Sequence, residues 1–374
     1  MSKNNITRCL FAATMAFLIL FNTACDKDEE VGVPSIEYIR YTSSEDPVTY
    51  ANLGQTIAII GENLQTVKQI TFNGYPGVFK TTMVTNNSIV VVVSTDTPFE
   101  GEEASNEVVV STDGGDATSV LEIAPPAPEI TTTSPQYAGE GAIVTIKGDY
   151  FYNITSVMFG DDQAQILEVD PYYITVKVPE GYSKDHIYVT SSKSGASKSD
   201  FMFGLDDGVI ELNWGDIYPT QGAWWNSSID GPEEEFDLVG GPYKYVEATF
   251  GNTWWTLDGG IQFDANEHRQ GNPAIKELKF EYALIGDSPW IQLLWKSSLG
   301  EYKFIVKDLK PTGGKWDTYS VTMNHFTLGD DGPQMTQEVF ESDDPLLLQY
   351  AFVNSGDAEI TIKCSTTNFR FEDK

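Results

Sequence analysis

The residues best suited to chemistry here are tryptophans, and they are unevenly placed. All eight, at positions 214, 224, 225, 254, 255, 290, 295 and 316, lie in the second half of a 374-residue chain. Two pairs are adjacent, Trp224-Trp225 in QGAWWNSS and Trp254-Trp255 in GNTWWTLD, both among Gly, Asn, Ser and Thr. Neighbouring side chains of an extended segment point to opposite sides, so one indole of each pair can pack while the other faces out. An indole presents a large flat face of negative quadrupole potential. The axial C–H groups of a pyranose make a flat, apolar, slightly positive face that matches it. A row of such rings holds a sugar chain without a deep pocket, and polar side chains at its edge meet the hydroxyls. One Trp from each doublet is therefore the expected platform. Trp290 shares its face with Gln292 and Leu294 and is as much a site residue as a core one. Tyr243, Asn226, Asn252, Gln292 and Lys296 are edge candidates. Trp295 aligns with Ile291 and Leu293, and Trp316 opens the run GKWDTYSV, so both are expected in the core. Trp214 leans structural.

Other chemistries find less material. Asp and Glu number 55 against 23 Lys and Arg, a net charge of −32. That surface disfavours nucleic acid, which needs a basic face. It would also repel uronic acids and sulfated glycans, so a neutral polysaccharide is the expected partner. Three histidines leave little for a zinc site or a His-based triad. No G-x-S-x-G and no H-E-x-x-H occurs. A glycosidase needs two carboxylates about 5–10 Å apart; Glu277 and Glu281, four apart on a strand, would be separated by roughly 13 Å. The run Glu233-Glu234-Glu235-Phe236-Asp237 reads as a solvated acidic loop, with structural calcium as the alternative and no other cofactor expected.

The N-terminus reads as an address. Residues 1–24 carry Lys3 and Arg8, no acid, and an apolar run of about 13 residues, shorter than a membrane span. Thr23-Ala24 precede Cys25, and an acidic run, Asp26-Lys27-Asp28-Glu29-Glu30, follows it. This resembles a bacterial lipoprotein signal, with Asn22 where such signals usually carry Leu. The resemblance implies lipidation at Cys25, export to the cell surface of a Bacteroidetes-type bacterium, and contact with the membrane through the anchor alone. Cleavage would leave 21 basic and 55 acidic residues, a net −34. Cys364 would then be the only thiol apart from the lipidated one, and it reads as a buried small hydrophobe.

The body repeats. Gly61, Leu64, Val67, Ile70 and Phe72 pair with Gly148, Phe151, Ile154, Val157 and Phe159 at one offset, 87 residues. Short strands with turn residues between them predict β-sandwiches. With Pro34-Ser35-Ile36 and Pro128-Glu129-Ile130 as openings, the two copies resemble the immunoglobulin-like IPT/TIG fold, over residues 33–124 and 127–204. Pro125-Pro126-Ala127-Pro128 between them is read as a short stiff linker. Residues 25–32 form an acidic linker after the signal. The tryptophans then mark a third domain, 205–374, whose strands are predicted at 243–250, 260–263, 275–284, 290–296, 302–307, 318–323, 346–353 and 360–371. Such a series predicts a jelly-roll β-sandwich. Its order of strand motifs resembles carbohydrate-binding jelly rolls, and the expected fold class is all-β throughout.

The whole layout resembles the surface glycan-binding lipoproteins of Sus-type polysaccharide utilisation systems, of the SGBP-B-like kind. The resemblance implies a non-catalytic binder of a β-glucan or xyloglucan beside a TonB-dependent transporter and a SusD-like partner. The Ig-like copies read as spacers. A glycan-cleaving enzyme with an Ig-like stalk and a protein-binding adhesin are the alternatives.

Overall fold

The computed structural model describes residues 32–205, 228–229, 235–241, 243–251, 261–264, 271–342, 347–353 and 358–374. The chain divides into two compact units, 1–124 and 125–374.

The first unit holds a sandwich of two four-stranded sheets. One runs Ser35–Tyr41, Thr56–Glu62, Ser88–Val92, Val78–Val84; the other runs Tyr75–Pro76, Gln69–Phe72, Glu107–Thr112, Gly115–Val120. The second unit opens with the same arrangement. Its sheets are Glu129–Ser134, Ile143–Asp149, Tyr173–Lys177, Gln165–Asp170 and Asp162–Gln163, Ile154–Phe159, Asp185–Ser191, Gly195–Phe203. The 87-residue offset seen in the sequence is thus a repeat of topology. Ile57, Ile59 and Phe72 are fully buried in one core, and their counterparts Val144, Ile146 and Phe159 are buried in the other.

The repeated glycines have a steric cause. A side chain on Gly61 would strike the carbonyl oxygen of Ser35, and one on Gly148 would strike that of Glu129. Both sites face a bulge in the opening strand, between Ile36 and Tyr38 and between Ile130 and Thr132. The bulge brings two backbones closer than any Cβ allows.

The rest of the second unit is a sandwich of two five-stranded sheets. One is ordered Ser228–Ile229, Lys244–Phe250, Ile360–Asp373, Lys276–Gly286, Asp317–Thr322; the other is ordered Ile261–Asp264, Leu347–Val353, Trp290–Ser297, Gly300–Val306, Thr327–Leu328. The eight strands expected from alternation are present, with Ser228–Ile229 and Thr327–Leu328 added at the edges. A short helix, Gln337–Phe340, is capped by the Thr336 hydroxyl, which accepts from Val339 N. Its Phe340 stacks on Trp295 with ring centroids 5.2 Å apart. Leu278, Phe280, Leu293, Trp295 and Phe371 fill the space between the sheets. Cys364 lies in the same core, where burial pushes its thiol up, as expected of a buried hydrophobe.

The outer face of the first of these sheets is covered by the second Ig-like sandwich. Trp316, Tyr245, Ala283, Phe236 and Val239 belong to one continuous apolar cluster with Val144 and Phe159. At its edge lies Glu281, fully buried, whose carboxylate accepts from Arg370 Nη1 at 2.8 Å, Thr318 Oγ1 at 2.9 Å and the backbone N–H of Tyr137 at 3.2 Å. Tyr137 comes from the Ig-like sandwich, and its ring lies 5.5 Å from the Arg370 guanidinium. Gln136 N donates to Thr318 Oγ1 at 2.7 Å, and the Ser134 hydroxyl to Asp317 Oδ1 at 2.8 Å.

Gly148→Ala should lower stability by about 1–3 kcal/mol, the usual range for forcing atoms into a packed site. Denaturant unfolding of the second unit is the measurement. An unchanged midpoint would mean that the two strands part freely, against this account of the repeat.

Candidate functional site

In the second unit one outer sheet face is taken by the docked sandwich. The outer face of the sheet containing Trp290–Ser297 lies outside the apolar cluster of that seam, and on it Leu294 and Ala351 are buried. Along that strand Ile291, Leu293 and Trp295 turn into the core, while Trp290, Gln292 and Lys296 are half-buried on the other side. The register extends this outer row across the sheet. Gln292 pairs with Ile305, Leu294 with Lys303 and Lys296 with Glu301 on one side. Gln292 pairs with Ala351 and Leu294 with Gln349 on the other, and Gln349 pairs in turn with Gln262 of the edge strand.

Lys307 Nζ stands 4.6 Å from the Trp290 ring centroid, a cation–π contact. Beside them is a cavity of about 340 Å³, lined among others by Trp290, Lys303, Ile305, Lys307 and His325. Lys296 pairs with Glu301 at 3.2 Å, and Lys303 pairs with Asp330. The face thus carries the Trp290 ring, the Gln292 amide and paired charges beside the apolar Leu294, Ile305 and Ala351, a surface suited to hydroxyl groups and C–H faces.

The other expected site residues divide three ways. Trp290, Gln292 and Lys296 share one face. Tyr243 is not among them: it precedes the strand Lys244–Phe250 of the opposite sheet and packs edge-to-face on Trp316, centroids 5.5 Å apart. Trp224, Trp225, Trp254, Trp255, Asn226, Asn252 and Cys25 lie outside the described residues, as does Trp214. Trp295 and Trp316 are buried, as expected, and Trp316 Nε1 donates to the Asp237 carbonyl at 2.7 Å. Lys303, Ile305 and Lys307 were not singled out from sequence. Their spacing of two along Gly300–Val306 and just beyond was the available signal.

Several of the described carboxylates make structural contacts. Burial raises the pKa of Glu281, while Arg370, Thr318 and the Tyr137 amide pull it back. Glu277 lies 3.6 Å from Lys279. In the acidic run, Glu235 accepts from Lys363 Nζ at 2.6 Å, and burial raises the Asp237 pKa. Among the described residues no group of three His, Cys, Asp or Glu side chains could hold a metal ion. No described helix is long and apolar enough to cross a membrane.

Residues 128–202 match the IPT/TIG domain model. That part of the chain is an Ig-like module of the IPT/TIG kind, within an all-β chain of sandwiches. An IPT/TIG domain-containing protein of Bacteroides ovatus is 28% identical over 163 residues. The match covers 42% of this chain and a third, 33%, of that relative's own length. Among solved structures, SGBP-B from a complex xyloglucan utilization locus in Bacteroides uniformis aligns at TM-score 0.51 and 16% identity, over 91% of this chain and 100% of that one. A crystal structure of domains CD of another protein aligns at TM-score 0.50 and 20% identity, over 67% of this chain and all of that one. The chain shares their fold.

One buried cation makes the second unit sensitive to pH. Lys244 is 2% exposed, and burial pulls its ammonium down from 10.5 to about 6. The unfolded chain binds that proton below about 10.4 and the folded chain only below about 6. Stability should therefore rise with pH across this window. Between about pH 6.5 and 8, urea unfolding should show the wild type gaining about 1.4 kcal/mol per pH unit over Lys244→Met. Parallel pH profiles for the two proteins would contradict this reading.

Proposed function

We propose that the chain is a non-catalytic cell-surface lipoprotein that captures a neutral polysaccharide, a β-glucan or xyloglucan, for uptake. The carrying observation is the outer row Trp290, Gln292 and Lys296, half-buried on the sheet of the C-terminal sandwich that lies away from the docked one. Trp290 supplies an indole, Gln292 an amide, and the adjoining cavity room for a sugar ring. At about 340 Å³ it lies near the lower end of the ~300–1,000 Å³ range for ligand pockets. In the sequence, Trp255 stands six residues before the edge strand Ile261–Asp264 of this same sheet.

The structurally similar B. uniformis protein belongs to a xyloglucan utilization locus, which supports a neutral glucan as the ligand. Glu281 and Glu277, the carboxylate pair read from sequence, serve as ion-pair partners, which supports binding without cleavage. In this reading Cys25 carries the anchor, and the Ig-like copies hold the binding domain away from the membrane. A TonB-dependent transporter and a SusD-like protein are the partners to which the glycan passes.

Affinity gel electrophoresis of the full chain on xyloglucan and on mixed-linkage β-glucan tests the reading. The wild type should be retarded on at least one of them. Trp290→Ala should weaken retention by about tenfold, the scale of losing one aromatic anchor. Prolonged incubation should release no reducing ends. Equal retention of both proteins would remove Trp290 from the site, and released reducing ends would make the protein an enzyme.

A further inference from the structure

The largest cavity described in the second unit is not on the Trp290 face. It is a cleft of about 660 Å³ where the second Ig-like sandwich meets the C-terminal one. Tyr172, Tyr173 and Lys147 line it from the first, and Lys310, Lys315 and Asp317 from the second. Its volume falls well inside the roughly 300–1,000 Å³ range of small-molecule sites.

The charge of this cleft runs against the rest of the chain. Acids outnumber bases 55 to 23, and Lys68, Lys276, Lys279, Lys296, Lys303 and Lys363 all have carboxylate partners. Among the described residues, no ion pair involves Lys147, Lys310 or Lys315. Asp317, the acid in the cleft, already accepts from the Ser134 hydroxyl at 2.8 Å and from the Thr318 amide at 3.0 Å. Lys147, Lys310 and Lys315 thus bring three ammonium groups to one concave site, where low-dielectric walls focus their field.

The tyrosines add a second requirement. Tyr172 is 62% exposed at the cleft, so its ring is open to a ligand there. An aromatic face suits the C–H face of a sugar ring, and the ammonium groups suit a carboxylate. A neutral sugar would satisfy only the tyrosines, and an inorganic anion only the lysines.

We propose that this cleft binds a carboxylate-bearing sugar, a hexuronate unit of an oligosaccharide, at a site separate from the Trp290 face. The hexuronate ring lies against Tyr172, and its carboxylate is met by Lys147 and Lys310. A strongly acidic protein can then accept an acidic branch of a glycan at this one place.

Titration calorimetry on the full chain tests the proposal, with a xylo-oligosaccharide bearing glucuronic acid as probe and the unsubstituted oligosaccharide and inorganic phosphate as comparisons. The acidic probe should bind saturably, and far more tightly than either comparison. The double variant Lys147→Ala/Lys310→Ala should weaken it by at least tenfold, and so should Tyr172→Ala. All three residues are exposed, so the fold should tolerate their loss. Raising NaCl from about 50 to 300 mM should weaken binding several-fold. Trp290→Ala should leave it unchanged, which separates this site from the neutral-glucan reading. No saturable binding, equal binding of the neutral probe or of phosphate, or indifference to the lysine variants would overturn it. Loss of acidic-probe binding in Trp290→Ala would overturn it as well, by moving the ligand to the other face.

Discussion

The second unit depends on one buried ion pair. Glu281 and Arg370 are 0% and 1% exposed, 2.8 Å apart, at the seam between two sandwiches. Burial opposes charge on both. Glu281 and Glu372 nevertheless raise the Arg370 pKa, so the guanidinium stays protonated. Glu372 accepts from Arg370 Nε at 2.6 Å and from Lys279 Nζ at 2.8 Å, which makes the pair part of a chain of four charges. Replacing such a pair with apolar groups is often harmless, but removing one member costs about 3–5 kcal/mol, because an uncompensated charge stays buried. The Tyr137 N–H ties this network to the Ig-like sandwich, so the charges and the docking stand or fall together.

That docking decides which surfaces can work. It covers the outer face of one five-stranded sheet and leaves the outer face of the other. It also creates the cleft, since Tyr172 and Lys315 belong to different sandwiches. Trp316 shows the division clearly: its ring is consumed by the seam, with its indole N–H on Asp237 and its edge on Tyr243. Trp290, on the far sheet, has Lys307 over its ring. Two tryptophans of one domain thus have different surroundings according to which sheet carries them.

Local pattern made much of this legible. Alternation in Leu278, Phe280, Tyr282 and Leu284 located a strand and its core face, and all four are buried. Gly61 and Gly148 marked the repeat because a local backbone crossing excludes any side chain there. What local pattern could not show is what covers the opposite face. Glu281 sits between Phe280 and Tyr282, where alternation puts a polar residue on the outside. A register shift after Lys279 and a sandwich from earlier in the chain instead enclose it. The contact of Tyr243 with Trp316 was out of reach for the same reason. In the candidate site, Trp290, Gln292 and Lys296 followed from one strand's alternation, whereas Lys303 and Lys307 needed the pairing with the next strand.

If the buried pair makes the two sandwiches of residues 125–374 one body, they should unfold together. Scanning calorimetry of the full chain tests this most directly. The account predicts two heat-absorption peaks, one for each compact unit, and a Glu281→Gln variant whose larger peak splits or falls in temperature. Three peaks in the wild type, or a variant indistinguishable from it, would contradict the account.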